Sequence, residues 1–305
     1  MSVTEQVPVP RRSYRLATGF TLGAVLLGSA VCATESGLAC PTWPGCFHDQ
    51  VTPSGLHSAI EFTHRVVAFG SLVSLGFAAW FGRRLPDRRL RWFPFAALVA
   101  AIASGFFGMM IVLFSLPKAL GVLDVAAAQV ALCLISWAAV RLEDPGDGES
   151  RLGRWGWATT GVVIVMHLLG IVVAGEGSLV RCLGWPVWRI VEGDEYPALQ
   201  WARLALGAVA VVMLAWLLVR AWGRRRLRVH VVVLAAAWLA ELVLGQAIVG
   251  QFTGGQPRNI WLAAVYSMLA GVIVWLIAML AARAGRAEPG DAPPPQDEPA
   301  RAVAA

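Results

Sequence analysis

The chain has 305 residues, 57% hydrophobic and only 14% charged, with a mean hydropathy of +0.64. Soluble domains carry about 25% charged residues, so the composition excludes an ordinary soluble enzyme and points to a polytopic membrane protein. The formal net charge of +6 does not require nucleic acid as a partner. The arginines sit at the ends of apolar tracts, where membrane topology uses them.

Eight tracts can cross a hydrocarbon core of about 30 Å at about 1.5 Å per residue. They are predicted at 16–34, 58–82, 92–115, 120–141, 155–174, 198–221, 229–249 and 259–283. Arg11, Arg12 and Arg15 precede the first tract, but no small-residue cleavage pattern follows closely, so it is read as a retained helix. The loops 83–91 (RRLPDRRLR) and 222–228 (WGRRRLR) are strongly basic, and 142–154 holds Arg151 and Arg154 among acids. These segments fall on one side. They place both termini in the cytoplasm of a bacterial plasma membrane, with 35–57, 175–197 and the links near Pro117 and Pro257 outside. The Pro- and Ala-rich tail from Glu288 is expected to be disordered.

The sequence repeats itself. LLGSAVCATESGLACPTWPGC aligns without gaps to LLGIVVAGEGSLVRCLGWPVW, so Gly28 meets Gly170, Cys40 meets Cys182, Trp43 meets Trp185 and Pro44 meets Pro186. IEFTHR meets ALQWAR, with Arg65 on Arg203, and Gly108-x-x-x-Val112 meets Gly245-x-x-x-Val249. The expected fold is therefore all-α: eight transmembrane helices in two tandem four-helix bundles, related by a pseudo-two-fold axis along the membrane normal. The expected units are an N-terminal half over 1–145, a C-terminal half over 146–287 and a tail over 288–305.

The residues with most chemistry lie between Cys40 and Arg65. Glu61 and His64 share a helix face, and His57 lies on it one turn earlier. Ionisable groups at the mouth of an apolar helix are costly to bury and mark a ligand or proton site. The second and fourth spans both begin outside, so Glu61, His64 and Asp124 are expected at one level of one bundle. A structural cluster, with Arg65 neutralising a carboxylate, is the alternative. His57 is expected to be interfacial, His167 a hydrogen-bonded core residue and His230 a surface anchor, whereas His48 is uninformative. Most of the fourteen tryptophans are assigned to interfacial belts.

Cys40 and Cys46 lie in the outer loop, framed by prolines, where a short disulfide is plausible in an oxidising compartment. It could cycle or simply staple the loop. Cys182 has lost its mate, because Trp188 holds that place, and Cys32 and Cys133 are expected to be inert core.

These motifs resemble the heme A synthase family of cytochrome oxidase assembly. The resemblance rests on the CPTWPGC loop, the IEFTHRVVA segment and the Gly-x-x-x-Val then Pro link, and it covers about 16–283. It implies an oxidoreductase that takes heme O in the N-terminal pocket and oxidises its C8 methyl toward a formyl, giving heme A. Glu61 and His64 match the family's acid and first histidine, with His64 as iron ligand. Cys40 and Cys46 match a pair thought to be redox-active. The C-terminal pocket would hold a b-type heme between two histidines. Here the chain departs from the family. Its fourth-helix histidine falls at Asp124, five residues before Gln129, its sixth-helix one at Ala202 and its eighth-helix one near Tyr266. Alanine cannot ligate iron, whereas tyrosinate can. The expected catalytic set is Glu61, His64 and Asp124. Cofactor contacts are assigned to His64, Arg65, Arg203 and Tyr266. Heme O synthase, oxidase assembly factors and lipid are the expected partners. A lapsed relative that only binds heme or assists assembly is the second reading. A transporter is the third, and the absence of matching midplane helix breaks argues against it.

Overall fold

A computed structural model of the chain describes residues 8–47, 52–114, 118–143, 150–174, 178–186, 196–253 and 259–285. The tail from Glu288, His48, Trp188, Pro117 and Pro257 lie outside these residues. The described residues form eight long helices and no strands: α1 (Pro8–Ala33), α2 (Leu56–Gly82), α3 (Arg88–Leu113), α4 (Lys118–Glu143), α5 (Arg151–Val173), α6 (Pro197–Trp222), α7 (Arg228–Thr253) and α8 (Ile260–Ala284). Each is long and apolar enough to cross a membrane, which makes the chain a multi-pass membrane protein.

The expected spans and the helices agree closely at most ends. α1 differs by starting about two turns earlier. It can do so because its polar residues have a 3.6-residue periodicity. Arg11, Arg12 and Arg15 are exposed while Ser13, Tyr14, Ala17 and Thr18 are buried. Other starts follow their caps. Ser150 accepts from the Gly153 N–H, and Asn259 accepts from Trp261 and Leu262, each satisfying donors that the first turn leaves open.

Helix neighbours follow chain order within each half. α1 packs on α2, α2 on α3, α3 on α4 and α4 back on α1, and α5 to α8 repeat the pattern. Between the halves, α8 packs on α1 and α4, and α4 on α5. α8 is therefore enclosed on most sides, which is why it is apolar nearly all round, whereas α3 is mostly open.

Long-range bonds fix the two ends. At one, the basic end, the Tyr14 hydroxyl donates to the Leu90 carbonyl at 2.6 Å, Arg15 pairs with Glu143, and the Ser150 hydroxyl donates to the Ala284 carbonyl. The other, the cysteine end, carries the residues 34–47 and 178–186.

α5 meets α8 backbone to backbone. A Cβ on Gly156 would lie 2.7 Å from the Ala281 Cβ, and one on Gly153 would lie 2.7 Å from the Gly285 Cα. Small residues let membrane helices approach this closely. Gly156→Leu is expected to destabilise the protein by about 1–3 kcal/mol through overpacking. Gly161→Leu, where nothing lies within 4 Å, should change little. Thermal unfolding midpoints in detergent compare the two.

Candidate functional site at the cysteine end

The CPTWPGC loop is held onto α2 by Arg65. One guanidinium nitrogen donates to the carbonyls of Thr42 at 2.5 Å and Gly45 at 2.7 Å, and the other to the Cys40 carbonyl at 3.1 Å. The second nitrogen also pairs with Glu61 Oε1 at 2.5 Å, while Glu61 Oε2 accepts from the Cys40 N–H at 2.8 Å. Glu61 is only 3% exposed. The i, i+4 spacing lets the pair form along one face, and the loop supplies the remaining partners that a buried ion pair needs. Both carboxylate oxygens of Glu61 are thus engaged with the loop and Arg65. The Cys40–Cys46 disulfide closes the loop, and both cysteines are buried.

One turn along, His64 turns its ring toward α1. A Cβ on Gly28 would lie 3.1 Å from His64 Cε1, so only glycine leaves the ring its full space. His64 Nδ1 is buried and has no hydrogen-bond partner. Asp124 engages α3, where the Ser104 hydroxyl donates to its Oδ1 at 2.5 Å. The expected meeting of Glu61, His64 and Asp124 is not drawn by hydrogen bonds. Glu61 serves the loop, Asp124 serves Ser104, and His64 keeps an open ring nitrogen. His57 bonds through Nδ1 to Ser36, which bonds on to Thr34.

In the C-terminal half the corresponding arginine does a similar job. Arg203 is 3% exposed and donates to the Gly184 carbonyl at 3.4 Å. In the gapless alignment Gly184 is the counterpart of Thr42, since both pairs Cys40/Cys182 and Thr42/Gly184 are offset by 142. A Cβ on Gly170 would lie 3.2 Å from Arg203 Nε. Arg203 therefore crosses the glycine where His64 crosses Gly28. Ala202, in the place of His64, is exposed. The Tyr266 hydroxyl donates to the Trp185 carbonyl at 2.5 Å, and its ring lies against Gly184, where a Cβ would come within 2.6 Å. Ala202 offers no donor atom, and the 182–186 segment occupies the side of the bundle that Tyr266 faces. These residues do not fit a heme held between two axial side chains. Among the described residues, no group of three or more His, Cys, Asp or Glu is placed to hold a metal ion.

Four sequence-based expectations are corrected here. Cys182 is not without a mate, nor is Cys32 inert core, because the two form a disulfide with Cα atoms 5.6 Å apart. Cys32 lies in the last turn of α1, and the helical turn Leu179–Arg181 packs against that helix. Cys133 is free and half-buried. His167 is 2% exposed, and neither ring nitrogen has a partner, so it is not the hydrogen-bonded core residue expected. His230, expected at the surface, is half-buried. The sequence reading also passed over Glu241. It is fully buried on α7 with no partner on either oxygen, and its only signal was an acid inside an apolar tract.

With a protease site inserted between residues 144 and 149, the cut halves should stay joined on a non-reducing gel and separate after reduction. In Cys32→Ser they should separate without reductant. Arg65→Ala leaves Glu61 buried and unpaired, a loss of about 3–5 kcal/mol for a fully buried pair. It should speed reduction of Cys40–Cys46 by a small phosphine, followed by mass shift on alkylation, and lower the unfolding midpoint.

A comparison with individually curated proteins returned no match. The family model for cytochrome oxidase assembly proteins, COX15-CtaA, matches residues 12–279. That range takes in all eight helices almost entirely, together with both loops of the cysteine end. The chain belongs to the COX15-CtaA family of cytochrome oxidase assembly proteins, a family tied to heme A synthesis.

Proposed function

We propose that the protein is a heme A synthase that works with one heme-binding half. Heme O would enter the N-terminal bundle, and its C8 methyl would be oxidised through an alcohol to a formyl. Water would supply the formyl oxygen, and the electrons released with the protons (R–CH3 + H2O → R–CHO + 4 H+ + 4 e−) would pass to an acceptor from outside the chain. The observation that carries this reading is His64, whose ring faces α1 with Nδ1 buried and unpartnered below the clamped disulfide loop. A neutral imidazole with a ring nitrogen not engaged by protein is suited to an axial position on iron.

In this reading Glu61 and Arg65 position the loop, and Arg203 does so in the other half. Asp124, shared with Ser104, is the acid nearest in kind to a proton acceptor in the N-terminal bundle. The repeated order of helix neighbours supports a duplicated four-helix unit, with 1–145 and 146–287 as its halves. The basic loops support cytoplasmic termini in a bacterial plasma membrane, with the cysteine end outside. There Cys40–Cys46 would lie on the side of external thiols, with both sulfurs buried by the clamped loop. Heme O synthase and oxidase assembly factors are the partners this reading implies.

A second reading has its own observation. Ala202, and a Tyr266 bonded to the Trp185 carbonyl, leave the C-terminal half without the family's ligands. The chain would then bind heme or assist oxidase assembly without oxidising the methyl.

Two measurements separate the readings. Detergent-purified protein loaded with heme O should show a Soret band that His64→Ala loses. Extracted heme should gain the formyl signature in pyridine hemochrome spectra if the first reading holds. An unchanged methyl pattern, with oxidase assembly lowered in cells lacking the protein, would establish the second. Protein that takes up no heme would remove both.

A further inference from the structure

The C-terminal half buries a set of polar groups that the heme reading does not use. Glu241 on α7 is fully buried, with neither carboxylate oxygen partnered. Tyr266 on α8 is 3% exposed and is acted on electrostatically by both Glu241 and Arg203. Arg203 on α6 keeps Nε without a partner, and His167 on α5, an electrostatic neighbour of Arg203, keeps both ring nitrogens without one. Trp238 lies one turn before Glu241, and its ring is tilted by 55° against that of Trp185, with centroids 5.8 Å apart; Tyr266 holds the Trp185 carbonyl. Four helices and the 182–186 segment thus converge on one polar locus.

Orphaned buried polar groups in such number call for a ligand or water. The locus has space for water and for little else. A cavity of about 10 Å³, bounded by Cys182, Gly184, Trp185, Arg203 and Tyr266, has room for about one water molecule. It lies at the cysteine end, below the 182–186 segment.

The repeat adds an independent observation. Gly108 aligns with Gly245, an offset of 137, and the same offset carries Ser104 to Glu241. In the N-terminal half a hydroxyl on α3 meets a carboxylate on α4, Ser104 with Asp124. In the C-terminal half the order is reversed, with a carboxylate on α7 and a phenol on α8. The same pair of helices carries an acid and a hydroxyl in both halves.

We propose that Glu241 is a proton-binding site, connected to the cysteine end through the Tyr266 hydroxyl and water beside Arg203. The step is a proton transfer only. Glu241 takes a proton from that water by way of the Tyr266 hydroxyl and returns it by the same route. His167 faces the same locus from α5 and is the other titratable group able to share that proton. On α7 itself, His230 sits near the opposite end with Arg283 as its electrostatic neighbour, too far along the helix to take part. This inference does not depend on heme binding.

Infrared difference spectroscopy of the full-length protein, taken across pH, tests it. The wild type should show a protonated-carboxyl band that shifts in D2O. Glu241→Gln should lose that band, and Asp124→Asn should keep it. Tyr266→Phe should slow its hydrogen–deuterium exchange at least tenfold, with the fold checked by circular dichroism. A band that survives in Glu241→Gln, or an exchange rate unchanged in Tyr266→Phe, would overturn the proposal.

Discussion

The cysteine end depends on arginines that hold backbone carbonyls. A loop folded back onto a membrane bundle brings carbonyl groups away from water, and each needs a donor. Arg65 supplies donors to three of them at once and takes Glu61 as its counter-ion. Arginine suits this work because its planar fork holds several donors at fixed angles and stays charged. The pair also solves its own problem. A charged couple this deep would be a liability without further hydrogen bonds, and the carbonyls and the Cys40 N–H provide them. Loop and pair therefore stabilise each other, and the disulfide keeps the loop short enough for one guanidinium to span.

The two halves apply the same device with different results. Arg203 reaches the carbonyl of Gly184, the counterpart of Thr42, but it has no acid one turn before it. Leu199 stands where Glu61 stands in the first half and is 37% exposed. Arg203 is thus more deeply buried and less fully bonded than Arg65, and it lies across the glycine that His64 crosses in the other half. Beside the two equivalent glycines, one half therefore places an imidazole and the other a guanidinium. Tyr266 completes the closure by bonding the Trp185 carbonyl. The second bundle is shut by its own loop, whereas the first keeps an imidazole with an open nitrogen.

The sequence made the helices legible because each is a long apolar tract bounded by arginines, prolines or a capping Ser or Asn. The Cys40–Arg65 stretch was legible as the functional end because its spacing puts ionisable groups on one face. What it could not show was which partner each group takes. Glu61 and His64 share a face by periodicity, yet one bonds a loop that folds back from outside the helix and the other faces α1. Asp124 was matched to His64 by depth alone, and its bond to Ser104 depends on the register of α4 against α3. The Cys32–Cys182 bridge was hidden for a different reason. It spans 150 residues, and no local pattern records a pairing made by the docking of two halves.

Glu241 shows how a polar group can pass unnoticed in a tract whose composition is otherwise apolar. A carboxylate with no protein partner costs several kcal/mol in such a place, so it must be compensated by protonation, by water or by an opposing charge. Protonation and water suit this acid, because the cavity beside Tyr266 has room for about one water molecule. Arg203 and Tyr266 both line that cavity, so a guanidinium and a phenol meet at the same water. The tyrosine that closes the second bundle by holding the Trp185 carbonyl is therefore also the hydroxyl on the proposed proton route, and neither role can be changed without the other.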